Sequence, residues 1–501
     1  MNATNNSTVM DKLKRVKDSV FPIECWELKK FLPLAFMMML TIYVYSVLRS
    51  AKDTILVNDL GAEMISVVKL FGVLPAAVVF LIIYSKVANA FSRENVFYIF
   101  ASFFGLFFLS YALFLYPNRA SLHIDLNSAS FAYAAIKNPL RIIEDWVICS
   151  FYIFSELWGS IMLSLLFWQF TNFITPVTQA KRFYSLLGLL GQGGLIAAGL
   201  ITTFISKSFG DASSKEAAEA AWQVSLNYIL ATVCVSVVLL MAIYKWMQKC
   251  VLVDKKHYDP ELMQSNTKKK KEKLSLLESF KYIFTSKYIG CIAILVIGYG
   301  VSINLVEGAW KSAMTLQYPL KNDYSAYMGS YFTWLGICTV ISMLVGVNVL
   351  RRFSWFTGAI LTPLMLGITG AIFFVVFIFR DSVEPVFESF GVSALLIAVT
   401  FGTIQNVLSK AVKYSLFDPT KEMAYIPLDD ELKTKGKAAV DVVGARLGKS
   451  GGALIQFALI SITNLSINDL AGVFFVIFGV IVIAWIYGVR ELSREFEKIK
   501  K

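Results

Sequence analysis

Long apolar stretches alternate with short polar ones along the whole chain. The apolar stretches run to roughly 18–25 residues, the length at which a helix crosses the hydrocarbon core of a bilayer. They predict twelve spans, near residues 31–50, 65–85, 96–116, 146–170, 183–205, 224–246, 288–310, 327–350, 355–379, 392–414, 440–463 and 470–489. A polar segment of mixed charge precedes the first. The longest polar interruption, at 248–285, carries Lys268, Lys269, Lys270, Lys271 and Lys273 and separates two groups of six spans. The expected organisation is therefore an N-terminal segment 1–30, a six-helix half 31–247, a basic linker 248–285, a second six-helix half 286–489 and a tail 490–501. The fold class is an all-α membrane protein.

Composition supports the pattern. Of 501 residues, 56% are hydrophobic and 16% charged, against about a quarter charged in soluble domains. The net charge of +12 does not indicate a nucleic-acid partner, because the cations sit in short loops between apolar runs, where lysine and arginine set membrane orientation. Lys12, Lys14, Arg15, Lys17, Lys29 and Lys30 precede the first span, whereas Asp59 and Glu63 follow it. Lys86 and Arg93 follow the second span, Lys181 and Arg182 the fourth, and Arg351 and Arg352 the eighth. This alternation places both termini in the cytoplasm, with the long third loop (Arg119, Lys137, Arg141) as the weakest fit. The acidic Asp11, Asp18, Glu24 and Glu27 speak against a transit peptide, so a bacterial inner membrane is expected ahead of a plastid inner envelope. Six scattered cysteines without a Cys-x-x-Cys pair, and two histidines, suggest neither a metal site nor a disulfide framework. No cofactor and no obligatory protein partner is implied.

The two halves echo each other. Tyr45-Ser-Val-Leu-Arg-Ser-Ala-Lys52 ends the first span and Asn304-Leu-Val-Glu-Gly-Ala-Trp-Lys311 ends the seventh. Gln192-Gly193-Gly194 in the fifth corresponds to Ser450-Gly451-Gly452 in the eleventh. Six plus six parallel repeats predict a major-facilitator-like architecture with its substrate near the midplane between the halves.

Ionisable residues at membrane depth are costly and mark functional sites by default. Lys52, Glu156, Glu307 and Lys449 stand out. Lys52 and Glu307 lie near helix ends, where snorkelling to the interface is the alternative reading; Glu156 and Lys449 lie deeper, where it is a structural ion pair. Arg446, one turn before Lys449, suits a second anion ligand or an interfacial anchor. Cations in an enclosed, low-dielectric cavity attract a polyanion such as phosphate, and carboxylates pair with them when the cavity is empty. Trp158, Trp168 and Trp310 are candidates for stacking a base, with ordinary helix packing as the alternative. Gly444-Ala-Arg-Leu-Gly-Lys-Ser450 is one residue short of a phosphate-binding glycine loop and lacks its preceding strand. With no catalytic constellation elsewhere, an enzyme is not expected.

The sequence resembles the non-mitochondrial ADP/ATP translocases of obligate intracellular bacteria and plastids. The resemblance rests on Leu48-Arg-Ser-Ala-Lys-Asp53, Ser155-Glu-Leu-Trp-Gly-Ser160, Leu166-Phe-Trp-Gln-Phe170, Asn304-Leu-Val-Glu-Gly-Ala-Trp-Lys-Ser312, Asn406-Val-Leu-Ser-Lys-Ala-Val-Lys-Tyr-Ser-Leu-Phe417, Ala424-Tyr-Ile-Pro-Leu428 and Arg446-Leu-Gly-Lys-Ser-Gly-Gly452. It implies a nucleotide antiporter that takes up host ATP against internal ADP by alternating access. It also implies functional roles for Lys52, Glu156, Glu307 and Lys449. Paralogues for GTP/GDP, CTP or UTP, and proton-coupled nucleotide import, are the alternatives that these motifs leave open.

Overall fold

The structure is a computed structural model that describes residues 22–210, 214–254, 256–258, 286–428, 436–437, 440 and 444–500. Most of the 248–285 linker lies outside them. Their regular structure is helical throughout, with no strand. The N-terminal half comprises α1 (Leu28–Leu60), α2 (Met64–Ala90), α3 (Arg93–Leu115), the short α4 (Ala134–Glu144), α5 (Trp146–Ile174), α6 (Val177–Ser208) and α7 (Lys215–Cys250). The C-terminal half comprises α8 (Lys287–Gln317), α9 (Lys321–Arg352), α10 (Trp355–Ile378), the short α11 (Arg380–Glu388), α12 (Ala394–Ala424), α13 (Ala445–Thr463) and α14 (Ala471–Lys500). Eleven of these helices are long and apolar enough to cross a membrane. The apolar part of α13, Ser450–Thr463, is shorter. It occupies the place of the eleventh expected span.

Local sequence explains the helix starts. Ser92, Ser214, Ser286, Ser354 and Ser393 each precede a helix, and each hydroxyl accepts from a backbone N–H in the first turn. Such caps satisfy donors that have no intrahelical partner. Helix ends differ more from expectation. The apolar run expected to close at residue 50 continues as helix to Leu60, and the seventh continues from 310 to Gln317. In both cases the added turns carry charges that are paired inside the protein and so need not leave the membrane. The long third loop folds in part into α4, which packs against α13 and the first turns of α2.

The halves meet most extensively where α6 crosses α9. Glycine permits this approach: a Cβ at Gly199 would lie 2.5 Å from the Gly329 carbonyl oxygen, and one at Gly329 would lie 2.7 Å from that of Gly199. Neither position has room for any side chain.

Contacts between the halves concentrate at the end of the bundle where α1 finishes. There Ser206 donates to Ser325 at 2.9 Å, Thr203 to the Ala326 carbonyl at 3.1 Å, and Asn322 to the Phe209 carbonyl at 3.1 Å. The Ala134 amide in α4 donates to Asn464, which caps α13. Lys321 at the start of α9 reaches into an acidic socket of the other half, 2.6 Å from Asp59 and 2.8 Å from Glu219. Glu219 also holds Arg119 and the Tyr116 hydroxyl. At the opposite end, the ion pairs among the described residues stay within one half: Glu27 with Arg182, and Lys287 with Glu491. Among the described residues, the polar latches between the halves lie at the Leu60 end and not at the Leu28 end.

Candidate functional site

In the last third of α1, one helical face carries Arg49, Lys52 and Asp53, at spacings that bring them together on consecutive turns. The same level of α8 carries Glu307 and Lys311. The two helices run parallel, and their charges meet in two cross-half ion pairs. Arg49 Nη2 lies 2.8 Å from Glu307 Oε1, and Lys311 Nζ lies 2.7 Å from Asp53 Oδ2. Both pairs join residues 258 positions apart. Lys311 also lies 3.2 Å from Glu307 Oε1, one turn back on its own helix.

Lys52 extends the network into the first half. Its Nζ is 2.9 Å from Asp53 Oδ1, 2.9 Å from Glu156 Oε1 on α5, and 3.7 Å from the centre of the Tyr152 ring. From Glu156 to Arg49 the charges alternate in sign: Glu156, Lys52, Asp53, Lys311, Glu307, Arg49. Lys410 on α12 closes the far side, donating to the Tyr331 hydroxyl at 2.8 Å and lying 3.6 Å from Glu307. Lys69 on α2 donates to the Asn304 side chain of α8 at 3.1 Å.

Isolated charges at this depth would cost several kcal/mol each, and pairing offsets much of that cost. The pairing is graded. Asp53 is fully enclosed and Lys52 nearly so, whereas the side chains of Arg49 and Glu156 remain 22% and 25% exposed. Arg49 contacts the opposite half, so its exposed part lies at the junction of the two halves. That leaves charged surface available to a ligand without removing its counter-ions.

Three of the five residues singled out by sequence, Lys52, Glu156 and Glu307, converge here. Lys52 is buried and paired, so it does not snorkel. The side chains of Lys449 and Arg446 lie outside the described residues, but their backbone belongs to α13, which packs tightly on α8 one to two turns before Glu307. A Cβ at Gly300 would lie 2.6 Å from the Gly448 Cα, and one at Gly452 would lie 2.6 Å from the Asn304 Cβ. Arg49, Asp53, Lys69, Lys311 and Lys410 were not singled out, although Lys69 and Lys410 interrupt apolar runs, which is the signal that found the others. Trp158 and Trp310 are packing residues. Trp158 donates to the Thr41 carbonyl and meets Phe104 edge-on; Trp310 donates to the Val399 carbonyl and packs on Tyr331. Both are fully buried. Trp168 meets Tyr184 edge-on.

Residues 6–496 match the sequence model of a family described as TLC ATP/ADP transporter. The chain is 47% identical to ADP,ATP carrier protein 1 of Rickettsia bellii, over 99% of this chain and 98% of that one. It is 44% identical to ADP,ATP carrier protein 1 of Chlamydia pneumoniae, over 96% and 94% respectively. Among solved structures, the bundle resembles a bacterial homologue of the iron transporter ferroportin in its inward-facing state (TM-score 0.57, 12% identity, 95% of this chain and 99% of that one). It also resembles the inward-open xylose transporter XylE from E. coli (TM-score 0.54, 12% identity, 93% and 95%). These likenesses carry the major-facilitator-like fold.

Proposed function

Because the chain belongs to the TLC ATP/ADP transporter family, we propose that it is a nucleotide antiporter exchanging ATP for ADP by alternating access between two six-helix halves, approximately 31–247 and 286–489. The observation that carries the mechanism is the alternating chain of charges between α1 and α8. With the cavity empty, carboxylates occupy the cations and tie the halves together. A polyphosphate entering the cavity competes for those cations, so the loaded and empty carriers cross the membrane with different barriers. This is what exchange requires, since an empty carrier that returned freely would leak.

In this reading Lys52 and Lys449 bind phosphate, with Arg446 one turn away, while Glu156 and Glu307 hold the cations between turnovers. The protein is a multi-pass membrane carrier, and no catalytic chemistry is needed for its work. The Leu28 end carries Lys29, Lys30, Arg182, Arg351 and Arg352, and the Leu60 end carries Asp59 and Glu63. The positive-inside rule therefore assigns the Leu28 end to the cytoplasm of a bacterial inner membrane. On that orientation the latched end of the carrier faces outward.

The test is uptake of labelled ATP into proteoliposomes preloaded with ADP or with buffer alone. Uptake that requires internal ADP is expected, and Lys52→Ala or Lys449→Ala should abolish it while the protein still inserts. Equal uptake without internal nucleotide would refute exchange. Absence of uptake by folded protein would refute adenine nucleotides as the substrate.

A further inference from the structure

The central cations differ in what holds them. Lys52 and Lys311 each contact two carboxylates, and Arg49 contacts one at 2.8 Å. Lys410 keeps a longer contact of 3.6 Å with Glu307. Lys69 has no carboxylate within 4.0 Å among the described residues. Its hydrogen-bond partner is a neutral amide, Asn304 Oδ1, at 3.1 Å. A half-buried lysine whose hydrogen-bond partner is a neutral amide is poorly explained as structural glue, because such a partner offsets little of the cost of bringing the ammonium to this depth.

Its placement is suited to an anion. Lys69 opens a π-helical stretch, Lys69–Val73, in an otherwise α-helical α2. The extra residue per turn shifts the register of the helix, and such insertions recur at functional sites. Asn304 is one turn before Glu307, and α13 packs against it at Gly452. Lys69 therefore stands at the junction of α2, α8 and α13, the last of which carries Lys449.

We propose that Lys69 is a phosphate-binding residue of the transport site, held by Asn304 until the polyphosphate of the nucleotide replaces the amide. An amide lends a lysine less charge compensation than a carboxylate and is the easier partner to displace. Among the central cations of the described residues, Lys69 is thus the one whose transfer to phosphate breaks no ion pair. Because α2 belongs to one half and α8 and α13 to the other, phosphate held by Lys69 spans both halves. The proposal rests on the reading that the cavity takes nucleotides.

The test uses purified protein in lipid nanodiscs, with the shift in thermal unfolding on adding ADP as the binding readout and exchange kinetics in proteoliposomes beside it. A shift in the wild-type protein tests the nucleotide reading by itself; its absence would overturn that reading before Lys69 is considered. Given the wild-type shift, Lys69→Gln should unfold near the wild-type temperature without ligand, lose most of the ADP-induced shift, and raise KM about tenfold to a hundredfold, the range for losing one charged hydrogen bond. Lys69→Arg should keep most of the shift. An unchanged KM and shift in Lys69→Gln would overturn the proposal. If Lys69→Gln does not fold, Lys69→Arg decides: a retained shift supports the charge as the ligand, and a lost shift with normal unfolding overturns it.

Discussion

Removing Asp53 or Lys311 tests whether the α1–α8 network holds the carrier together as a connected chain. The direct contact is 2.7 Å, with Asp53 fully buried and the Lys311 side chain 3% exposed. Breaking a buried pair by deleting one partner costs about 3–5 kcal/mol, because the survivor is left uncompensated. Here each survivor keeps another partner: Asp53 keeps Lys52 at 2.9 Å, and Lys311 keeps Glu307 at 3.2 Å. The lower end, about 3 kcal/mol or roughly a hundredfold, is therefore expected for Asp53→Asn or Lys311→Gln. The assay is a double-mutant cycle on ADP/ATP exchange in proteoliposomes, paired with thermal unfolding of the same variants. The double variant should be milder than the sum of the singles by about 2 kcal/mol, as coupled neighbours are. The charge swap, Asp53→Lys with Lys311→Asp, is the sharper test. It should not restore exchange, because it sets lysine beside Lys52 and aspartate beside Glu307, breaking the alternation in two places. Restoration by the swap, or strictly additive singles, would refute the connected chain and leave an isolated pair.

Two further outcomes are expected. The Ser206 and Ser325 hydroxyls meet at 2.9 Å across the halves, so the double variant Ser206→Cys with Ser325→Cys should cross-link on oxidation and stop exchange until a reductant is added. Full exchange by cross-linked protein would show that this end need not open. In the loop between α3 and α5, burial of Glu144 acts to raise its pKa, but hydrogen bonds from the Ser128 hydroxyl and the Ser128 and Leu126 amides outweigh it and hold the carboxyl below its usual value. A depressed carboxyl stabilises above its unfolded pKa and loses that contribution as pH falls through the folded value. Limited proteolysis of this loop should therefore rise on acidification through the carboxylate range, and Glu144→Gln should show the acid rate already at neutral pH.

The spans were legible because bilayer thickness demands an apolar run of similar length from nearly every helix, whatever its partners. Lys52, Glu156 and Glu307 were legible because each sits in or beside an apolar run, where an ionisable residue is costly. Asp53 and Lys311 were not, because the apolar runs stop just short of them and the helices do not. That continuation depends on pairing between residues far apart in the chain, which periodicity does not encode. Lys69 and Lys410 stand inside expected spans, yet a single lysine near the end of a run reads equally as an interfacial anchor. Only the contacts with Asn304 and Tyr331 separate the two readings. The fates of Trp158 and Trp310 were likewise a matter of what their neighbours left open: both indoles are enclosed by helices and bonded to backbone.

The register of α1 against α8 also shows how far the two halves have become unlike. Parallel repeats related by an axis along the membrane normal bring similar positions together at the same depth. In the sequence echo Lys311 stands where α1 has Lys52, but Glu307 stands where α1 has Leu48. At the paired positions the order of signs reverses, cation then anion on α1 and anion then cation on α8. Two identical six-helix halves would have no counterpart of Glu307 to hold Arg49, so the halves are not interchangeable at this contact.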